Sequence, residues 1–254
     1  MEWQQIGNSW VLIPNKPQGI LHFLGGAFLA TAPNVSYRWL LEKLADAGYV
    51  IVATPFVNTF DHLAIAGQVL NSFENCHRRL QATKSIKEYL PVYGLGHSMG
   101  SKLHLLIGSV FGVERAGNIL ISFNNFTARQ AVPGLEQISP LVNVEFTPNP
   151  QETDRLVTQS YQIQRNLLIK FNSDTIDETE GLSDLLRPNF RGLVTTLKLK
   201  GNHLTPVGQD VNWPIGPIFT PIDAVGQWVK QEAYRDLNQL KREVLRWLNP
   251  LASV

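Results

Sequence analysis

Three side chains of this sequence have the types and order needed for nucleophilic chemistry: Ser98, Asp174 and His203. A serine hydroxyl is a poor nucleophile at neutral pH. It becomes competent when a histidine takes its proton and a carboxylate orients that histidine and stabilises its cation. Ser98 stands in Gly96-His97-Ser98-Met99-Gly100, a G-x-S-x-G between a predicted strand and a predicted helix. The chain must bend sharply there, and a side chain at either glycine would meet the neighbouring strand or helix. Such a bend holds the serine Oγ at the tip of a sheet and aims the free N–H groups of the next helix at it. Met99 N–H is therefore one candidate donor to an oxyanion. Gly25-Gly26-Ala27-Phe28 follows an earlier strand, and its glycines allow close approach of backbone to a substrate oxygen, which makes Ala27 N–H the second. Each such donor contributes on the order of 3 kcal/mol.

Asp174 lies three residues past the last core position of a predicted strand over residues 165–171, and is the first choice of acid. Asp177 is the second, and reads as a helix N-cap with Glu180 completing part of a capping box. His203 follows directly on the last predicted strand, residues 195–200. The other histidines have plainer readings. His22 lies within a strand as a core residue, and His77 and His104 sit in helices. Asp61-His62 opens a helix whose dipole favours the aspartate, and His97 occupies the variable position of the G-x-S-x-G.

Competing motifs fit less well. An ordinary glycine-rich turn explains the glycines alone but not the strand–turn–helix context. Gly94, Gly96 and Gly100 miss the G-x-G-x-x-G spacing by one residue, and Gly100-Ser101-Lys102 reverses the P-loop order. No tyrosine has a lysine four residues later, so the short-chain reductase pattern is missing. A nucleotide-binding fold stays open as the minority alternative.

The elements around these residues are legible from turn signals and hydrophobic period. Residues 10–13 and 19–24 read as a hairpin across P-N-K-P-Q-G. A helix over 33–48 starts at Pro33 and stops at Gly48. Residues 49–54 form a β-branched run without alternation, as expected of a parallel strand covered on both faces. A helix from 61 to about 80 precedes the strand of the elbow, and residues 116–122 form another buried strand. Residues 123–164 are long for a connection and rich in proline and apolar side chains, with a polar helix over 151–164. This stretch is the candidate cap or lid over Ser98, with Phe126 and Phe146, together with Phe28, as candidate substrate contacts. The strand at 195–200 alternates as an edge strand does, and a terminal helix runs from about 222 to 248.

At 254 residues, 44% hydrophobic and 17% charged, the chain suits one α/β domain with a full core. A net charge of +1 favours neither nucleic acid nor an anionic membrane as partner. The single Cys76 forbids an intrachain disulfide and fits a reducing compartment. No signal pattern and no apolar run of transmembrane length is read. The chemistry needs no metal or organic cofactor, and no Cys/His cluster has zinc spacing.

The chain resembles the α/β-hydrolases throughout. More narrowly, it is similar to an uncharacterised family of cyanobacterial and plastid hydrolase-like proteins. The passages concerned are I-L-H-F-L-G-G-A-F, Y-R-W-L-L-E-K-L-A-D-A-G-Y, G-L-G-H-S-M-G-S-K-L-H-L-L-I-G-S, G-N-I-L-I-S-F-N-N-F, F-N-S-D-T-I-D-E-T and G-N-H-L-T-P. The resemblance implies one α/β-hydrolase domain over residues 1–254, with a mostly parallel central sheet, helices on both faces and a cap at 123–164. It also implies an intracellular protein of a photosynthetic lineage, in cyanobacterial cytosol or plastid stroma. The G-H-S-M-G elbow is similar to that of monoacylglycerol lipases and acyl-thioesterases, in which a small residue such as Ser101 follows the last glycine. The expected activity is hydrolysis of an ester or thioester of a hydrophobic acyl group through an acyl-enzyme on Ser98. The alternative is a non-catalytic hydrolase-fold protein that binds a partner or a small lipid. Neither substrate identity nor oligomeric state follows.

Overall fold

The computed structural model of the chain describes residues 1–131, 145–207 and 221–250. Its strands are β1 (Gln4–Ile6), β2 (Ser9–Leu12), β3 (Gly19–Leu24), β4 (Tyr49–Ala53), β5 (Val92–His97), β6 (Gly117–Ile121), β7 (Asn166–Phe171) and β8 (Val194–Leu199). They form one sheet in the order β1-β2-β4-β3-β5-β6-β7-β8. The strands from β4 to β8 in that order are all parallel, and β1 and β2 run antiparallel at one edge. The runs V-I-V-A, N-I-L-I and N-L-L-I lack alternation because both sheet faces are covered.

The helices are α1 (Pro33–Ser36), α2 (Arg38–Asp46), α3 (His62–Ala82), α4 (Met99–Val110), α5 (Ala128–Ala131), α6 (Pro150–Ser160), α7 (Thr179–Leu186) and α8 (Pro221–Leu248). Side chains of α2 and of the far end of α8, including Leu40, Leu44, Leu240 and Val244, pack with Phe23, Leu95, Ile119 and Ile169 on one face. On the other face, Leu106 of α4 packs with Ile65 of α3, and Leu105 packs with Val157 of α6 and Leu182 of α7. Cys76 of α3 is buried there as a free thiol, beside Val52 and Phe73. Among the described residues no helix is long and apolar enough to cross a membrane.

Two expectations need correction. β2 and β3 do not form a hairpin: β2 pairs with β1 and with β4, and β4 lies between β2 and β3. β3 is buried along its whole length and takes parallel neighbours on both sides, β4 and β5, which leaves it no edge for β2. The helix over 33–48 breaks at Tyr37, whose φ of −115° ends α1 and starts α2. The break turns the Tyr37 ring into the core, where it is fully buried. The predicted edge strand is β8, which among the described residues pairs only with β7.

One rung of the sheet is polar although fully covered. His22, Gly94, Asn118 and Asn166 stand opposite one another across β3, β5, β6 and β7. The Tyr161 hydroxyl accepts from Asn118 Nδ2 at 2.7 Å and donates to Asn166 Oδ1 at 2.7 Å. Gly94 is required here: a Cβ on it would lie 2.3 Å from Asn118 Oδ1 and 2.8 Å from His104 Nδ1. His22 is the core residue that its strand context indicated. His104, whose helix left surface and core both open, lies in the core too, and burial holds both imidazoles neutral.

Candidate active site

β5 ends in the sharp turn that the glycines announced. Ser98 has φ 54° and ψ −120°, a conformation that side chains other than glycine's rarely adopt. A Cβ on Gly96 would lie 2.6 Å from the backbone of Gly100, and one on Gly100 would lie 2.0 Å from Leu24 O. Ser101 locks the turn to β6, donating from Oγ to Gly96 O at 3.0 Å and accepting from Ile121 N at 3.1 Å. Gly100→Ala should therefore cost about 3 kcal/mol or more in urea unfolding, because the atom it strikes is strand backbone that cannot rotate away. A loss below about 1 kcal/mol would mean that β3 and the elbow part easily.

Ser98, His203 and Asp174 meet beyond the carboxyl ends of β5, β8 and β7. His203 Nδ1 lies 2.8 Å from Asp174 Oδ2, and His203 Nε2 lies 3.0 Å from Ser98 Oγ. An ionised carboxylate only accepts, so the ring proton belongs on Nδ1 and Nε2 accepts from the serine hydroxyl. The Asp174 side chain is wholly buried, and its Oδ1 accepts from Ile176 N at 3.1 Å. Asp177 points elsewhere. It accepts from Thr179 N at 3.0 Å and Thr179 Oγ1 at 2.8 Å in a turn ahead of α7, whose N-cap is Glu178 and not the Asp177 expected from the sequence. The capping box is not made, because Glu180 binds Lys170 at 2.7 Å instead of reaching back.

The Gly25–Phe28 loop lies over the elbow. A Cβ on Gly26 would come within 3.4 Å of Ser98 Cβ, and Ala27 packs in the same cluster as Met99. Phe28, in the next position, is 82% exposed. Phe126 is half-buried, and Phe123 is not in a cap at all: it belongs to the core beside Leu105 and Leu120. Phe146 is buried, stacked on His62 at 4.2 Å, with the Lys102 ammonium 5.7 Å from its ring centre. Burial pushes Lys102 down to about 8 against the pull of Glu145, Asp154 and Glu178. Within the candidate lid, Val132, Leu135, Ile138, Leu141 and Val144 lie outside the described residues. The polar helix expected over 151–164 is α6, which is capped by an Asn149–Glu152 box.

Sequence reasoning missed three side chains. Asn124 donates from Nδ2 to Ser98 Oγ at 3.3 Å, and only its place just past β6 hinted at this. His97 is buried beneath the site, with Nδ1 2.8 Å from Tyr37 Oη and Nε2 2.8 Å from His203 O. Tyr37 Oη also accepts from Gly26 N at 2.8 Å. Burial, then the neighbouring His203, push His97 down to about 3, so its ring is neutral. No signal in the sequence marked Tyr37.

With this arrangement known, comparison with other proteins is informative. A family described as "Protein of unknown function (DUF1350)" matches residues 2–250. The chain belongs to this family. A search of curated proteins finds no match for this DUF1350 chain. Among solved structures it is similar to a soluble variant of monoglyceride lipase from Saccharomyces cerevisiae, at 13% identity and a TM-score of 0.63, with 100% of this chain and 96% of that one covered. It is also similar to FphF, the fluorophosphonate-binding serine hydrolase F of Staphylococcus aureus, at 16% identity, a TM-score of 0.57 and coverage of 77% and 85%. A monoacylglycerol lipase of Paleococcus ferrophilus is similar at 15% identity, a TM-score of 0.53 and coverage of 80% and 91%. At such identities the likeness is one of fold. With the sheet order, it makes this DUF1350 member an α/β-hydrolase fold, and the nucleotide-binding alternative falls.

Proposed function

We propose that this protein is a serine hydrolase that cleaves an ester or thioester of a hydrophobic acyl group through an acyl-enzyme on Ser98. The observation that carries the reading is the hydrogen-bonded chain from Asp174 through His203 to Ser98, at 2.8 and 3.0 Å. Ser98 Oγ attacks the acyl carbonyl while His203 Nε2 takes its proton, and Asp174 holds Nδ1–H and stabilises the imidazolium. Met99 and Ala27 N–H groups receive the oxyanion at the N-terminus of α4. His203 then protonates the departing alcohol or thiol. Water, losing its proton to the same nitrogen, releases the acid.

The hydrophobic preference rests on three aromatic side chains. Phe28 is almost fully exposed on the donor loop, and Phe126 and Phe146 belong to the segment proposed as a cap over one domain. We assign these three rings to the acyl chain, whose burial stabilises by ~0.8 kcal/mol per methylene. Activity should rise with acyl length up to a limit, and Phe126→Ala or Phe146→Ala should weaken long substrates more than acetate esters. Equal losses on both, measured as kcat/KM across graded esters and thioesters, would remove these rings from the substrate site.

A non-catalytic protein of this fold that binds a partner or a small lipid is the competing reading. A fluorophosphonate probe separates the two. Mass spectrometry should find the adduct on Ser98, and labelling should vanish in His203→Ala. An unlabelled Ser98 in the folded protein would leave the binding reading.

A further inference from the structure

We propose that Tyr37 and His97 are positioning residues: one buried string of hydrogen bonds ties the oxyanion loop and the base loop to the residue preceding the nucleophile. The inference rests on the hydrolase reading above and adds to it two residues outside the Ser98, His203 and Asp174 set.

Proton accounting gives the string its direction. Gly26 N–H can only donate, so Tyr37 Oη accepts from it at 2.8 Å. The hydroxyl proton is then free for His97 Nδ1, 2.8 Å away. His203 O can only accept, so His97 must carry its own proton on Nε2, 2.8 Å from that carbonyl. With the proton on Nδ1 instead, Nε2 would face the carbonyl lone pair against lone pair, and the tyrosine proton would have no acceptor. One neutral tautomer satisfies every group, and burial keeps the ring neutral.

The string joins segments far apart in the chain. Gly26 and Tyr37 are 11 residues apart, Tyr37 and His97 60, and His97 and His203 106. Its two middle members are covered from solvent, Tyr37 at 0% and His97 at 1% exposed, where an unmade bond is costly. The space around it is full. A Cβ on Gly25 would lie 2.8 Å from the Tyr37 ring, and one on Gly26 3.3 Å from His97 Nδ1. The two glycines thus let the donor loop close down on this string, in addition to opening the backbone to substrate. Apart from the bonds of the His203 ring to Ser98 and Asp174, the base loop is held by Ser173 N on Gly201 O and by Gly201 N on Asn172 Oδ1, contacts that reach the acid's loop. His97 adds a bond from the elbow to the backbone of the base loop. A shift of about 1 Å in such a site costs on the order of a hundredfold in rate.

The test uses Tyr37→Phe, which keeps the ring and removes one oxygen, and His97→Phe, which removes both bonds. Nitrogen-15 NMR of wild type should find His97 as the Nε2–H tautomer. In Tyr37→Phe the Nε2–H should stay, held by His203 O, while the Nδ1 resonance shifts because that nitrogen has lost its donor. On a short ester both variants should lose about ten- to a hundredfold in kcat with KM unchanged, and Ser98 labelling should slow in step. A folding defect alone would lower the active fraction without moving the His97 Nδ1 resonance of the folded molecules. Should His97→Phe fail to fold, Tyr37→Phe still decides. A wild-type His97 that is Nδ1–H or doubly protonated near neutral pH overturns the string. So does a labelled wild type with Tyr37→Phe retaining its full kcat. A wild type that neither labels nor hydrolyses overturns the hydrolase reading itself, and this inference with it.

Discussion

Ser98→Ala should lose ester hydrolysis by about a million-fold in kcat, and Ser98→Gly should lose as much. The two should differ in stability, with the glycine variant the more stable by about 1–3 kcal/mol in urea unfolding. Alanine keeps the β-carbon at φ 54°, where it crowds the backbone, whereas glycine adopts that region freely. Both variants lose the same contacts of Oγ with His203 and Asn124, so the difference isolates the elbow's strain. Equal stabilities would mean that the turn stores none. Hydrolysis surviving in either variant would place the nucleophile elsewhere.

Asp174→Asn should lower kcat by about ten-thousand-fold, because an amide presents a donor to His203 Nδ1 and favours the wrong tautomer. Asp177→Asn should stay within a few-fold of wild type. It keeps one oxygen to accept from Thr179 and loses the second bond to that residue and a 3.9 Å pairing with Lys170, so its cost should appear in stability at about 1 kcal/mol. The two carboxylates are three residues apart and both follow β7, which makes the comparison a sharp one. A large kinetic loss in the second variant alone would exchange their roles.

Features fixed by local sterics were legible in the sequence, and those that depend on distant partners were not. Gly96 and Gly100 are needed by atoms of the turn itself and of the adjacent strand, so the elbow could be read from five residues. Pairing of β2 was misjudged because turn residues between 13 and 19 report only a reversal of direction, and the strand that intervenes, β4, comes thirty residues later. β1 was missed because three residues of mostly exposed, polar character carry no period. That Asp174 and not Asp177 lies against His203 was readable from offset beyond the strand. Tyr37 was not, since its only mark is a helix break whose purpose lies sixty residues on, at His97.

The polar rung through His22, Gly94, Asn118 and Asn166 bears on how the chain finds its alignment. Strands made of Val, Ile and Leu slide past one another by two residues with little penalty, since the same faces stay covered. Here such a slide would take Asn118 from Gly94 to Gly96 or Val92 and pull its amide from the Tyr161 hydroxyl. Each buried amide stranded in this way costs roughly 1–3 kcal/mol. Parallel pairing between remote strands is slow, and misaligned intermediates have time to accumulate. The rung therefore serves as an index mark: it makes wrongly aligned sheets expensive while they are still forming, and so delivers β5 and β7 to the single offset at which the ends of both reach the same cleft.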